Sequence, residues 1–160
     1  MPGAWQTLGY DTPVYTNIQY PIAVSTPPSM PRRNTSGVYA RTVVPGAAAA
    51  AGVLDGSRRC VLHVGAADNA AFVFAGGAWR ALWKDARLPG EVDVTEELRE
   101  ALGRGDDGLE VVCVVVRWTE GSYLEDQDAW KLSGLIRDCY LLFPPAARAI
   151  FDVRWDLSLI

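Results

Sequence analysis

The stretch 109–118, LEVVCVVVRW, is rich in β-branched residues and almost continuously apolar. Side chains that branch at Cβ are stiff at χ1 and suit the pleated surface of a sheet. A run of this length predicts a central strand, either buried on both faces or packed between a sheet and the barrel-like end of a sandwich. A sheet is therefore the organising element of the fold.

Short apolar runs separated by turn residues recur along the rest of the chain. The clearest is a hairpin over 70–83, because AAFVFA and AWRALW flank Gly76-Gly77, and two glycines supply the positive φ of a tight primed turn. Thr95 is predicted to be the N-cap of a short helix that ends near Gly103, because two acids follow it in the first turn. Further strands are predicted at 37–44, 58–65, 91–93, 139–143 and 149–157.

Two further segments carry other signals. The prolines of residues 1–36 remove backbone donors and fix φ, so this segment is extended or irregular. Residues 45–57 are predicted to form a connection in which the alanine run 47–51 is a loop or a short helical turn. Many short strands with at most one or two short helices predict an all-β fold, a β-sandwich.

The composition is that of a globular protein, and 160 residues provide one domain with a sizeable core. The formal net charge of −4 provides no broad basic face, so we expect no nucleic-acid partner. The three cysteines, Cys60, Cys113 and Cys139, lie far apart in apolar runs and are predicted to be buried free thiols. We find no signal-peptide pattern and no membrane-spanning run, and therefore expect a cytoplasmic setting without membrane contact.

The most unusual segment follows the predicted central strand. Its centre contains three carboxylates between two aromatic residues: Tyr123, Glu125, Asp126, Asp128 and Trp130. Carboxylates accept hydrogen bonds from sugar hydroxyls, aromatic rings cover the apolar face of a pyranose, and carboxylates also bind hard cations. In an extended segment Asp126 and Asp128 share a face and could form the acid pair of a glycosidase, whereas clustered acids are more often ion-pairing or ligand-positioning groups.

Asn17 is the second candidate for ligand binding, in the segment DTPVYTNIQYP between Tyr15 and Tyr20. Its amide offers donors and an acceptor to a sugar hydroxyl, while the alternative is a turn residue bonded to the local backbone. A Ser/His/Asp triad is implausible because the chain has one histidine. The glycines of 103–108 are not followed by the Lys-Ser/Thr of a phosphate loop.

A series of motifs extends over almost the whole chain. They are Trp5-Gln6, Gly9-Tyr10-Asp11, Pro13 to Asn17, Tyr20-Pro21, Gly37-Val38-Tyr39, Asp85 to Pro89, and the string SYLEDQD-x-W at 122–130. Together they resemble the N-terminal sugar-binding domain of the β-galactosidases of glycoside hydrolase family 2. The resemblance implies a jelly-roll β-sandwich that does not itself cleave the glycosidic bond. It also implies that the two catalytic glutamates lie on a later (β/α)8 barrel, with no catalytic residue in this chain.

The same resemblance implies roles for three positions. Asn17 and Asp128 would contact galactose hydroxyls in the active site of the barrel, and Asp128 would also bind a sodium ion. Some members of the family bind magnesium with an Asp where this chain has Glu120 and with a Gln where it has Lys84. Sodium at Asp128 and magnesium at Glu120 are thus the implied cofactors of the parent enzyme, although a lysine is hard to reconcile with a divalent ion.

By this resemblance, residues 1–145 are the sugar-binding domain without its first strands, and 146–160 begin an immunoglobulin-like domain. The implied function is that of a β-galactosidase fragment, whose parent is an oligomer that hydrolyses terminal β-D-galactosides. Its partners are the β-galactoside and a catalytic barrel in the same or a companion chain, so the 160-residue chain alone is expected to be inactive. Two alternatives stay open: a stand-alone galactose-binding module without catalytic activity, and an inactive truncated gene product.

Overall fold

The computed structural model describes residues 3–15, 29–124, 128–148, 150 and 153–157, without the side chains of Tyr123 and Leu124. Within these residues the strands are β1 (Val14–Tyr15), β2 (Ser36–Val43), β3 (Val61–Val64), β4 (Ala67–Asp68), β5 (Ala70–Ala75), β6 (Ala78–Trp83), β7 (Gly90–Asp93), β8 (Leu109–Val116), β9 (Trp130–Lys131), β10 (Gly134–Leu135) and β11 (Cys139–Leu142). The helices are α1 (Ala47–Leu54), α2 (Thr95–Arg104) and the single turn α3 (Gly121–Leu124).

Two antiparallel sheets enclose the core. The larger sheet has the strand order β2–β8–β5–β6 and the smaller has the order β11–β3–β7, while β1–β9 and β10–β4 form two short additional pairs. Val73 and Val115 of the larger sheet and Leu62 and Val64 of the smaller sheet belong to one apolar cluster, and none is more than 3% exposed. The predicted all-β class, a jelly-roll β-sandwich with short helices, is confirmed.

The predicted central strand is β8, which pairs with β2 on one side and with β5 on the other. Leu109, Val111, Cys113 and Val115 point into the core and are buried, whereas the residues between them are exposed or partly exposed. The prediction that this strand is buried on both faces was therefore wrong. In a two-layer sandwich only one face of each sheet packs against the other sheet.

The hairpin predicted over 70–83 is confirmed as β5 and β6, joined by Gly76 and Gly77. The two glycines have φ of 55° and 81°, which lie in the left-handed region that favours glycine. The pairing register shifts between Val73 and Phe74, where β5 has a local irregularity. This hairpin forms the edge of the larger sheet beside the loop that follows β8.

Helix α2 differs from its prediction at the start. Val94 is the N-cap, and Thr95 is the first helical residue, so Thr95 as the N-cap was wrong. The side chain of Asp93 instead accepts a hydrogen bond from the Thr95 amide at 2.9 Å. The Thr95 hydroxyl is buried and accepts a hydrogen bond from the Cys60 amide at 2.8 Å, which joins the helix to the chain just before β3.

The alanine-rich segment forms a longer helix than the loop or short turn that was predicted. Alanine has the highest helix propensity, and α1 continues for eight residues without a capping side chain. Val53 within it is fully buried, and its carbonyl accepts a hydrogen bond from Arg99 Nε of α2 at 3.1 Å. Packing against α2 therefore supplies a stabilisation that the local sequence does not display.

The cysteines do not share one environment. Cys60 and Cys113 are buried free thiols as predicted, and burial raises the pKa of each to about 12. Cys139 is free but exposed, so its predicted burial was wrong. It lies at the start of β11, which within the described residues pairs with one strand, β3.

The last described residues lie outside the sheets. Residues 153–157 form no strand, so the strand predicted over 149–157 was wrong there, and Trp155 is 87% exposed. The division into domains between residues 145 and 146 stays a prediction. Among the described residues, no helix has the length and apolar character needed to cross a membrane.

Candidate functional site

The loop after β8 begins with two residues whose backbones are held by side-chain amides. Asn34 donates from Nδ2 to the Trp118 carbonyl at 2.8 Å and accepts from the Trp118 amide at 2.9 Å. The buried Asn69 donates from Nδ2 to the Arg117 carbonyl at 2.7 Å and to Ser122 Oγ at 2.9 Å. These bonds extend the order of β8 into the loop, beyond its last strand pair.

Arg117 connects the start of this loop to the N-terminal segment. Its buried side chain forms an ion pair with Asp11 through Nη1 and donates from Nη2 to the Thr12 carbonyl at 2.8 Å. Burial raises the pKa of Asp11, but the Thr12 amide, the charge of Arg117 and hydrogen bonds from Trp5 and Arg117 outweigh it and lower the pKa below its ordinary value. The Asp11 carboxyl group is therefore held in its charged form near neutral pH.

Asp128 lies near the other end of the loop, two residues before β9. It accepts a hydrogen bond at Oδ1 from the hydroxyl of Tyr15, and Tyr15 is in register with Trp130 in the β1–β9 pair. The Tyr15 and Trp130 ring centres are 5.4 Å apart, and the ring planes are inclined by 49°. Trp130 is 60% exposed and Tyr15 is 42% exposed. We call these three exposed side chains, Tyr15, Asp128 and Trp130, the aromatic–acid patch.

The aromatic–acid patch has the chemical groups that recognise a carbohydrate. The exposed rings offer apolar faces to the C–H groups of a pyranose. An ionised carboxylate accepts about four hydrogen bonds, of which the Tyr15 hydroxyl supplies one, and the others suit sugar hydroxyls. Because the Tyr15 hydroxyl fixes one carboxylate oxygen, the acceptor has a defined direction relative to the rings.

The structure describes only some of the predicted site residues. Asp128 lies in the aromatic–acid patch, whereas Asn17, Glu125 and Asp126 lie outside the described residues. The suggested acid pair of Asp126 and Asp128 is therefore not described. Sequence reasoning missed Tyr15 as the partner of Asp128, because the two lie 113 residues apart and the only signal was an aromatic residue close to Asn17.

The two implied cations fit their proposed ligands differently. Asp128 is an exposed carboxylate and suits one ligand position of a sodium ion whose other oxygen ligands come from elsewhere. Glu120 instead forms an ion pair with Lys84. No group of three His, Cys, Asp or Glu residues suited to a metal ion occurs in the described ranges. A divalent ion needs several oxygen ligands and is repelled by an ammonium, so magnesium does not fit Glu120 beside Lys84.

A family model described as "Glycosyl hydrolases family 2, sugar binding domain" matches residues 1–145. The chain belongs to this family. The β-galactosidase of Yersinia enterocolitica serotype O:8 / biotype 1B is 39% identical to this sugar-binding domain over 147 residues, which are 91% of this chain. A β-galactosidase of Yersinia pestis bv. Antiqua (strain Angola) is 40% identical over the same length. The chain spans 13% of the length of each of these two curated relatives.

Solved structures agree with the fold of the sugar-binding domain. Bacteroides uniformis β-glucuronidase superposes with a TM-score of 0.57 at 15% identity, over 71% of this chain and 12% of that protein. An FMN-binding β-glucuronidase from Facaelibacterium prausnitzii L2-6 superposes with a TM-score of 0.54 at 24% identity, over 71% of this chain and 16% of that protein. At these identities the likeness concerns the fold alone.

Proposed function

We propose that the aromatic–acid patch binds the terminal galactose of a β-galactoside and completes the active site of a β-galactosidase whose catalytic glutamates lie outside this chain. The observation that carries the proposal is the Tyr15–Asp128 hydrogen bond beside the inclined rings of Tyr15 and Trp130. The family of the chain and its 39% identity to a Yersinia β-galactosidase support this choice of sugar.

Each member of the patch has a separate task. Asp128 accepts hydrogen bonds from galactose hydroxyls, and the Tyr15 hydroxyl holds the carboxylate in one orientation. Trp130 covers an apolar face of the sugar and excludes water from it. The domain thereby orients the substrate and contributes to rate through positioning, without a proton transfer of its own.

Other groups complete the proposed active site around the aromatic–acid patch. Asn17 is proposed as a second sugar contact, and Asp128 as one ligand of a sodium ion that neutralises part of its charge. The catalytic barrel is the proposed partner, in the same chain or a companion chain, within an oligomeric enzyme. The 160-residue chain is then a sugar-positioning domain with no turnover of its own.

Calorimetric titration of methyl β-D-galactoside into the 160-residue chain tests the proposal. We expect a dissociation constant in the millimolar range, which corresponds to a binding free energy of about −4 kcal/mol, because the aromatic–acid patch is open to solvent. Asp128→Asn should weaken binding about tenfold or more, because the acceptor loses its charge and one of its two accepting oxygens becomes an NH2 donor. Trp130→Ala should weaken it about three- to tenfold through loss of the ring face.

The matched control is Trp79→Ala. Trp79 is 61% exposed, almost the same as Trp130, but it lies on β6 and outside the aromatic–acid patch. This substitution should leave the affinity unchanged. Equal affinities for the wild-type chain and Asp128→Asn, or no binding at tens of millimolar galactoside, would contradict the proposed site.

A stand-alone galactose-binding module is the second candidate, because all three side chains of the aromatic–acid patch come from this chain. Both candidates predict sugar binding and no hydrolysis of a nitrophenyl β-galactoside by the isolated chain. They differ when a chain with the catalytic barrel of the family is added: the fragment should then restore turnover, and the free module should not. Turnover by the isolated chain would contradict both.

A further inference from the structure

Lys84 and Glu120 connect the larger sheet to the loop that carries Asp128. Lys84 directly follows the edge strand β6, and Glu120 directly precedes the helical turn α3. Their side chains form an ion pair and are 50% and 47% exposed. The loop thus has a charged attachment at Glu120, between Arg117 and Ser122, which both accept hydrogen bonds from the buried Asn69.

The Lys84–Glu120 pair already contains a cation, the Lys84 ammonium. The Lys84 ammonium supplies a positive charge and hydrogen-bond donors to the Glu120 carboxylate. A divalent ion at the same place would be repelled by that ammonium and would compete with it for the carboxylate oxygens. The family resemblance implies that some members bind magnesium at the position of Glu120, and this chain has Lys84 where those members have a glutamine.

We infer that the Lys84 ammonium replaces a divalent cation as the charge that holds Glu120, so that the loop carrying Asp128 needs no magnesium for its position. Lys84 acts on the loop through Glu120 and is a positioning residue. The inference concerns the attachment of the loop and does not depend on which ligand the aromatic–acid patch binds.

Reversing the charge at residue 84 tests this inference. The melting temperature of the wild-type chain should agree within about 1 °C between EDTA and MgCl₂ at equal ionic strength, because no Mg²⁺ ion binds the folded state. In Lys84→Glu, two carboxylates face each other, so the melting temperature should fall in EDTA and rise again when Mg²⁺ is added. Lys84→Met removes the charge without supplying a ligand and should melt slightly below the wild type, with or without Mg²⁺.

Two further measurements use the wild-type chain alone. Calorimetric titration with MgCl₂ should give no heat beyond dilution. Hydrogen exchange of the Ser122 amide, which donates to the Thr119 carbonyl at 2.9 Å, should be equally slow in EDTA and in Mg²⁺. A wild-type melting temperature that falls in EDTA, saturable magnesium binding by the wild type, Ser122 exchange that differs between the two solutions, or a Lys84→Glu variant that ignores Mg²⁺ would each overturn the inference.

Discussion

In the part of the chain that the structure describes, two ion pairs attach the loop that carries Asp128 to the domain, and they differ in burial. In the Asp11–Arg117 pair the side chains are 18% and 6% exposed, whereas both side chains of the Lys84–Glu120 pair are about half exposed. Water screens the second pair, while removal of one partner from the first leaves a charge in a poorly solvated place. The Arg117 side chain is therefore fixed by the fold, whereas the Glu120 side chain is held by a contact that can be exchanged at little cost in stability.

Removing Arg117 should have the largest effect. Arg117→Ala leaves the Asp11 carboxylate without its cation and removes the hydrogen bond to the Thr12 carbonyl. We expect the free energy of unfolding, measured with urea, to fall by about 3 kcal/mol. That is a large share of the stability of a small domain.

Arg117→Lys is the matched variant for this prediction. It keeps the charge but loses the planar fork that contacts Asp11 and Thr12 together, so the loss should be smaller than for Arg117→Ala. If Arg117→Ala lowered the stability by less than about 1 kcal/mol, the buried pair would behave like an exposed one and the distinction would not hold.

Acid should have the second-largest effect, because it weakens the Asp11–Arg117 pair. The folded-state pKa of Asp11 lies below its ordinary value, so the unfolded chain binds the proton more readily. The stabilisation by Asp11 is present above the ordinary carboxylate range and is lost as the pH falls from about 4 through the lower folded-state pKa. Urea unfolding over this range should show a steeper pH dependence for the wild type than for Asp11→Asn. Equal slopes would mean that the carboxylate is not held in its charged form.

The exposed pair should give the smallest effect on stability. Lys84→Met should lower the free energy of unfolding by less than about 1 kcal/mol, and the difference from the wild type should shrink at high salt. Urea unfolding at low and at high sodium chloride measures both quantities. If the free energy of unfolding fell as much as in Arg117→Ala and the fall did not depend on salt, the Lys84–Glu120 pair would not differ from the Asp11–Arg117 pair in its contribution to stability.

The elements that local sequence patterns determine were predicted well. The hairpin β5–β6 follows from two short apolar runs around Gly76-Gly77, and the position of β8 follows from its β-branched residues. Helix α1 was predicted only as a loop or a short helical turn because its alanines carry no apolar stripe and no cap, and its stability comes from α2, which begins about forty residues later. Local patterns report local preferences, and they do not show which distant element supplies the packing.

The candidate site was predicted in part. Asp128 stood out because acids and aromatic residues cluster around it in the sequence. Its contact with Tyr15 and the contact of Arg117 with Asp11 join residues that are 113 and 106 positions apart, and no spacing rule connects such distant residues. The sequence shows that Lys84 is hard to reconcile with a divalent ion, but the ion pair of Lys84 with Glu120 is visible only in the structure.

The most direct test of the central claim, that the aromatic–acid patch binds galactose, compares two tryptophans of nearly equal exposure. Trp130 lies in the patch and Trp79 on β6, and they are 60% and 61% exposed. Methyl β-D-galactoside is titrated into the ¹⁵N-labelled chain, with the indole signals assigned from Trp130→Phe and Trp79→Phe. We predict that the Trp130 indole signal shifts and saturates while that of Trp79 stays in place; equal shifts of both signals, or no shift of Trp130, would contradict the claim.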